Sequence, residues 1–234
     1  MKIALLISGR LKCYQTCLLP LLQNSSYEID LFISINDVET EYYDTAKINL
    51  SSWLKNSYIS PYVFPQRFME IFTNINTHQP EPKPYNPMSM FWNDRNAFEM
   101  ATKYADQNLF EYDAYMKFRS DIITSSLPKV IKSNNYKIFS VVPWCNHTAP
   151  VVDRQTGSYR DLIVPWVSDA IVYGNRNSMQ SYTETHNFCM EMLEIFDGKY
   201  PCNFEPSVTQ NVYDKVLEVE YFENPYSIDP SRHQ

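Results

Sequence analysis

The first 36 residues alternate between strand-like and helix-like segments, and this order constrains the fold more than any other feature of the chain. Lys2–Ser8 is a continuous apolar run, Leu11–Leu22 has apolar residues at helical spacing, and Glu28–Ile35 is a second apolar run. A strand without polar alternation is typical of a parallel sheet that is covered on both faces. The opening therefore predicts a βαβ unit with a right-handed connection.

The rest of the chain continues this alternation. Further strands are predicted at Tyr62–Phe64, Tyr112–Phe118, Lys137–Val142, Asp169–Tyr173 and Val219–Phe222. Further helices are predicted around Ser51–Asn56 and over Met88–Leu109, Leu127–Lys132, Ser178–Phe196 and Ser207–Leu217. Residues 73–87 and 143–165 are rich in turn-forming residues and are predicted to be loops. The pattern indicates one α/β domain over residues 1–234, with a mostly parallel central sheet between helices.

Composition argues against several classes of function. The chain has only four Gly and neither a G-x-G-x-x-G nor a Walker sequence, which disfavours dinucleotide-binding and P-loop proteins. A net charge of −7 disfavours nucleic acid as a partner. No apolar run approaches the roughly 20 residues of a membrane span. The five Cys form no C-x-x-C pair and are typical of free thiols in a reducing compartment, so we expect a cytoplasmic protein.

Three charged side chains alternate where the Tyr112–Phe118 strand ends: Lys117, Arg119 and Asp121. Residues at every second position of a strand share a face, so these charges are expected to point into one cleft. Asp is a hard oxygen ligand suited to Mg²⁺ or Mn²⁺, and Arg is suited to a diphosphate. The alternative is an ordinary ion pair at a strand terminus, and the residues alone leave both interpretations open.

Other candidate site residues also lie at predicted strand ends, where open α/β sheets bind their ligands. Gly9 and Arg10 follow the first strand, and they indicate either close approach of a ligand or a tight turn with a solvated arginine. Asp37 follows the second strand and indicates either a contact to a base or ribose or the start of a turn. Asp169 begins a short apolar strand and indicates either a general base or a cap.

Four blocks of the sequence, taken together, resemble a known family. They are LLISGRLKCY at the first strand, DLFISIND at the second, YDAYMKFRSDI at the central strand, and WVSDAIVYGNRNSM with the helix that follows. Their order and spacing over residues 2–217 resemble small GT-A glycosyltransferases of large DNA viruses and bacterial polysaccharide clusters. The resemblance implies a GT-A-like sandwich and transfer of a sugar from a nucleotide sugar.

The resemblance also implies roles for individual residues. Gly9, Arg10 and Asp37 match the positions that hold the nucleotide, and Lys117 and Arg119 are expected to join them in binding the nucleotide sugar.

The acidic D-x-D motif of the family, which binds metal, corresponds here to Arg119-Ser120-Asp121. Asp121 alone therefore matches a ligand of Mn²⁺ or Mg²⁺, and Arg119 replaces the first acid. This departure either weakens the dependence on metal or implies that Arg119 takes over part of the charge neutralisation.

The S-D-A-I-V-Y-G block resembles the segment that lines the sugars, which makes Asp169 the expected catalytic residue. The expected partners are a UDP- or GDP-linked sugar donor and a glycan or protein-linked acceptor, in the host cytoplasm for a viral protein. Two alternatives remain from the residues: a catalytically silent nucleotide- or sugar-binding module on the same fold, and a nucleotidyltransferase-like enzyme.

Overall fold

A computed structural model describes residues 1–68, 85–133, 136–142, 148–152, 159–198, 204–215 and 218–230. Within these ranges, only the backbone is described at residues 37–39, 85–86, 148–152, 159–164 and 204–205.

The strands are β1 Lys2–Ser8, β2 Glu28–Asn36, β3 Leu54–Ser60, β4 Ala114–Phe118, β5 Ile122–Thr124, β6 Lys137–Val141, β7 Thr148–Val152, β8 Tyr159–Pro165, β9 Ile171–Gly174, β10 Glu218–Phe222 and β11 Tyr226–Ile228. The α-helices are α1 Leu19–Gln23, α2 Tyr43–Asn49, α3 Tyr85–Gln107, α4 Arg176–Thr183, α5 Thr185–Ile195 and α6 Phe204–Asp214. A π-helix at Tyr14–Leu18 precedes α1, and a 3₁₀-helix at Asp37–Tyr42 precedes α2.

Seven strands form the central sheet, in the order β10-β6-β9-β4-β1-β2-β3. All its neighbours pair in parallel except β9, which runs antiparallel to both β4 and β6. Two small antiparallel pairs, β5 with β11 and β7 with β8, lie outside this sheet. The prediction of an α/β fold with a mostly parallel sheet is confirmed.

Both faces of the sheet are covered, which explains the continuous apolar runs. Ala4 and Leu6 of β1 belong to a core that includes α3, α4, α5 and α6. Ile3, Leu5 and Ile7 point the other way, into a second core with the π-helix, α1 and α2. Since neither face of β1 meets water, neither face needs polar residues.

The prediction for the third strand was wrong. In the segment Ser51–Asn56, predicted as a short helix, residues 51–53 form a turn and residues 54–56 begin β3, and Tyr62–Phe64 is not a strand. β3 is an edge strand whose side chains are mostly exposed or half-buried, so its polar sequence lacks the apolar pattern that predicts a buried strand. Tyr62 and Phe64 are buried while Val63 is 81% exposed, and this alternation imitates a strand.

Three further predictions also differ from the structure. Leu127–Lys132 is not helical. The predicted loop at 143–165 contains β7 and β8, although its residues 143–147 and 153–158 lie outside the described residues. The predicted helix Ser178–Phe196 is divided into α4 and α5 at Glu184. The Thr185 hydroxyl there donates to the Tyr182 carbonyl oxygen at 2.7 Å, and such bonds compete with continuous helix.

The predicted helix Leu11–Leu22 begins later than expected, as the π-helix at Tyr14, and most of the predicted loop 73–87 lies outside the described residues. In the described part of the chain, no helix combines the length and the apolar character needed to cross a membrane.

Candidate functional site

The parallel strands β1, β2 and β4 end at the same edge of the sheet, and the predicted site residues follow them. Gly9 comes directly after β1 and has a φ of +85°, in the left-handed region that favours glycine. Its amide donates to the Ser34 carbonyl oxygen of β2 at 3.3 Å. Arg10 is exposed, and its carbonyl oxygen accepts a hydrogen bond from the Ser120 hydroxyl. The loop after β1 is therefore joined to the loop after β4.

Pairing of β4 with β9 brings Asp169 to Arg119. The two strands are antiparallel, with Phe118 opposite Ile171, so the start of β9 lies at the end of β4. The Arg119 amide continues this pairing and donates to the Ala170 carbonyl oxygen at 3.1 Å. Residues that are 50 positions apart in sequence thus become neighbours.

The Arg119 guanidinium lies between two carboxylates. Its Nε donates to Oδ1 of Asp121 at 3.0 Å and its Nη2 to Oδ2 of the same carboxylate at 2.8 Å. Its Nη1 donates to Oδ2 of Asp169 at 3.0 Å. Side-chain exposure is 22% for Arg119, 17% for Asp121 and 5% for Asp169, so the cluster lies at a partly open surface.

The two carboxylates stabilise the charge of this arginine. Burial alone would lower the pKa of Arg119, but the charges and hydrogen bonds of Asp169 and Asp121 outweigh it, and the pKa is raised. The guanidinium is therefore a permanent cation at this edge of the sheet.

Lys117 lies deeper on the same face of the sheet, against α3. Its side chain is fully buried, with Nζ 3.2 Å from Oδ2 of Asp94 and 3.7 Å from Sδ of Met90. Ser8, the last residue of β1, donates its hydroxyl to Oδ1 of Asp94 at 2.5 Å. Lys117 thus lies deeper in the protein than Arg119, Asp121 and Asp169. Its contact with a ligand stays a prediction.

Asp94, the partner of Lys117, also interacts electrostatically with the Arg119 cluster. Burial raises the pKa of Asp94 more than the Lys117 ammonium and the Ser8 hydroxyl lower it. The Asp169 carboxylate adds to this rise, so the charges of the two groups act on one another.

A buried polar network continues from this point along α3. The Ser34 hydroxyl donates to Oδ1 of Asn93 at 2.6 Å, and Nδ2 of Asn93 donates to Oδ1 of Asn36 at 2.7 Å. Nδ2 of Asn36 donates in turn to the Ser89 hydroxyl at 3.0 Å. All four side chains are buried, and such paired networks fix one arrangement of a helix on a sheet.

Sequence reasoning missed Asp94 and the amide network. The available signal was the polar pair Asn93-Asp94 between Phe91 and Ala97, two positions of the predicted core face, because polar residues on a core-facing stripe need partners. Asp37 follows β2 at the same edge of the sheet, as predicted from its position, and only its backbone is described.

The described residues do not supply the ligand set of a resident divalent metal. Both oxygens of Asp121 are engaged by Arg119. Within the described ranges, no three His, Cys, Asp or Glu side chains are grouped so that they could hold a metal ion. Among the described side chains, the expected site for Mn²⁺ or Mg²⁺ at Asp121 has fewer oxygen ligands than such ions usually take, and the metal site stays a prediction.

A cavity of about 550 Å³ lies on the other face of the sheet. Its lining includes Tyr27, Ser125, Phe139, Tyr173 and Phe222. None of the predicted site residues with a described side chain lines it, so the cavity and the Arg119 cluster are separate features.

Neither a protein-family model nor a curated protein matches this chain.

Proposed function

We propose that this chain is a glycosyltransferase with a GT-A-like fold. It moves a sugar from a nucleoside-diphosphate sugar, UDP- or GDP-linked, to a hydroxyl group of a glycan or protein-linked acceptor. The observation that carries the proposal is the placement of Arg119 between Asp121 and Asp169, at the edge where the parallel strands of an α/β sheet end. Ligands of open α/β sheets bind beyond this edge.

Arg119 has the chemistry that the leaving group requires. When the bond between the anomeric carbon and the diphosphate breaks, negative charge develops on the diphosphate oxygens. A guanidinium with a fixed charge stabilises that anion and can bind two phosphate oxygens at once. Arg10 would contribute a second cation, since its carbonyl oxygen is joined to the Ser120 hydroxyl next to Arg119.

Asp169 is the proposed general base of an inverting transfer. The acceptor oxygen forms a bond to the anomeric carbon, its proton passes to the Asp169 carboxylate, and the diphosphate leaves with the bonding electron pair. Arg119 donates to Oδ2 of Asp169, so in this proposal it would contact the base as well as the diphosphate. A transfer that retains configuration would need no base at this position.

A second candidate is a silent nucleotide- or sugar-binding module, and one observation favours it. The Asp169 side chain is 5% exposed and already accepts a hydrogen bond from Arg119, so it is shielded from an acceptor in this arrangement. The two candidates differ in turnover, because only the transferase releases nucleoside diphosphate from a nucleotide sugar.

The proposal is tested by a thermal-shift screen of UDP-, GDP-, CMP- and dTDP-linked sugars, each with Mn²⁺ and with EDTA. A ligand that binds only the native state raises the melting temperature by mass action. We expect a shift with one nucleotide family, release of its nucleoside diphosphate on incubation, and loss of the shift in Arg119→Gln.

The melting temperature of Arg119→Gln without ligand serves as the folding control. A shift without turnover would favour the silent module, and no shift with any nucleotide sugar would refute the transferase and a nucleotide-binding module.

A further inference from the structure

We infer that Arg119 is the built-in cation of this site, held where a divalent metal would otherwise bridge Asp121 and Asp169. A nucleoside diphosphate would then bind without a divalent metal, and the site would gain metal affinity only when Arg119 is removed. The part of this inference that concerns nucleotides rests on the proposed function, whereas the part that concerns metal rests on the geometry of the three side chains.

The contacts of Arg119 leave Asp121 without a free oxygen for a metal. The guanidinium engages Asp121 through two parallel hydrogen bonds, of 3.0 and 2.8 Å, one to each carboxylate oxygen. This bidentate arrangement is among the strongest that a carboxylate makes with a side chain. A metal ion at Asp121 would have to displace at least one of these bonds while standing next to a positive charge.

The second carboxylate is held by the same cation. Oδ2 of Asp169 accepts from Nη1 of Arg119 at 3.0 Å, so one guanidinium bridges two carboxylates. Carboxylates that are 5% and 17% exposed need a neighbouring positive charge, because their burial removes water. Arg119 supplies that charge permanently, and Mg²⁺ or Mn²⁺ would have to replace it and bring several further oxygen ligands.

The Arg119 guanidinium also retains N–H groups that can donate hydrogen bonds to an anion. It has five N–H groups, and three are used by Asp121 and Asp169. The remaining two, one on each terminal nitrogen, have no partner among the described residues, and 22% of the side-chain surface is exposed. A diphosphate could therefore be bound from solvent while both carboxylates stay in place.

The decisive experiment measures Mn²⁺ binding directly, by loss of the electron paramagnetic resonance signal of free Mn²⁺, without any nucleotide. We expect little binding to the wild-type protein. Arg119→Asp should raise Mn²⁺ affinity by about tenfold or more, because it places three carboxylates together. The double variant R119D/D121N should lose most of that gain.

Arg119→Gln is a second variant in case Arg119→Asp fails to fold, and circular dichroism reports the fold of each variant. It removes the cation without adding charge, and a rise in Mn²⁺ affinity is expected here as well. Tight Mn²⁺ binding by the wild type that Asp121→Asn removes would overturn the inference. The wild-type measurement also detects ligands contributed by parts of the chain outside the described residues.

Binding of UDP and GDP by calorimetry, in EDTA and in Mn²⁺, tests the second half of the inference. We expect affinities that agree within about twofold, a difference of roughly 0.4 kcal/mol. Nucleotide binding that requires Mn²⁺ would overturn the inference while supporting the proposed function. Absence of nucleotide binding in both buffers would refute the proposed function, and the Mn²⁺ measurement would still decide the role of Arg119.

Discussion

The Nζ atom of Lys117 lies 3.2 Å from Oδ2 of Asp94, and the two side chains are 0% and 2% exposed. This pair joins β4 to α3 directly behind the Arg119 cluster. Water cannot reach either charge, so each depends on the other for its stability in the folded state.

Removal of one partner of this pair should be strongly destabilising. Lys117→Met leaves the Asp94 carboxylate buried without its cation, and such losses cost about 3–5 kcal/mol. Denaturant unfolding measures this free energy. Lys103→Met, at an exposed position of α3, is the matched control and should change stability by less than about 0.5 kcal/mol. An effect of Lys117→Met as small as the control would show that the pair is not buried in solution.

His186 should make the protein less stable below neutral pH. The ring is 7% exposed, packs against Tyr62 and Trp92, and burial lowers the pKa of His186 from 6.5 to about 4. The pKa of His186 is lower in the folded than in the unfolded protein. The free energy of unfolding is therefore highest above pH 6.5, where the ring is neutral in both states, and it decreases as the pH falls toward 4.

The expected loss from His186 is about 1–2 kcal/mol between pH 8 and pH 5.5. Denaturant unfolding at both pH values measures it. His186→Gln is the control, because it cannot take up a proton and should lack this part of the pH dependence. Equal pH dependence in both proteins would contradict the prediction.

Cys17 should react slowly with thiol reagents in the folded protein. Burial raises the pKa of Cys17 to about 12, and the neighbouring Asp229 carboxylate adds to the rise. The reactive thiolate is therefore scarce at neutral pH, and the side chain is only 2% exposed. Labelling with iodoacetamide followed by peptide mass spectrometry measures the rate, and denatured protein is the reference. Rapid native labelling of Cys17 would disprove this environment.

Asp169→Asn should separate binding from catalysis in the proposed transferase. The amide oxygen can still accept a hydrogen bond from Arg119, so nucleotide affinity should change by less than about threefold, whereas loss of the base should slow transfer by about 10²–10⁴-fold. Calorimetry and release of nucleoside diphosphate measure the two effects.

Asp121→Asn is the matched control for Asp169→Asn, because it also weakens the contacts of Arg119 but leaves Asp169 in place. A transfer rate of Asp169→Asn near that of the wild type would rule out a base at this position and favour retention of configuration.

The sequence predicted best the strands that are buried on both faces. β1 and β2 are buried on both faces, and their apolar runs predicted them nearly to the residue. β3 was missed because an edge strand meets water and needs few apolar side chains. The non-helical segment Leu127–Lys132 was missed because it is held by distant partners. The Tyr27 hydroxyl, for example, accepts from the Val130 amide at 2.9 Å.

The site was predictable in position but not in its contacts. The alternation of Lys117, Arg119 and Asp121 predicted three charges in one cleft, whereas Lys117 is buried against α3 and only Arg119 and Asp121 contact each other. The contact of Arg119 with Asp169 depends on the direction of β9, and an apolar run of four residues carries no information about direction. Burial of Lys117 likewise depends on Asp94, which comes from a helix and could not be matched to it from spacing alone.

The position of β9 also determines when the sheet can be completed during synthesis. Apart from the pairing of β4 with β9, the central strands β1 to β4 pair with one another, so these four can assemble as soon as Phe118 has left the ribosome. When β6 emerges next, it cannot pair with β4, because β9 lies between these two strands in the sheet and has not yet been synthesised. We therefore expect the edge of β4 to stay unpaired until Ile171–Gly174 has emerged, a period in which an open edge invites association with other chains.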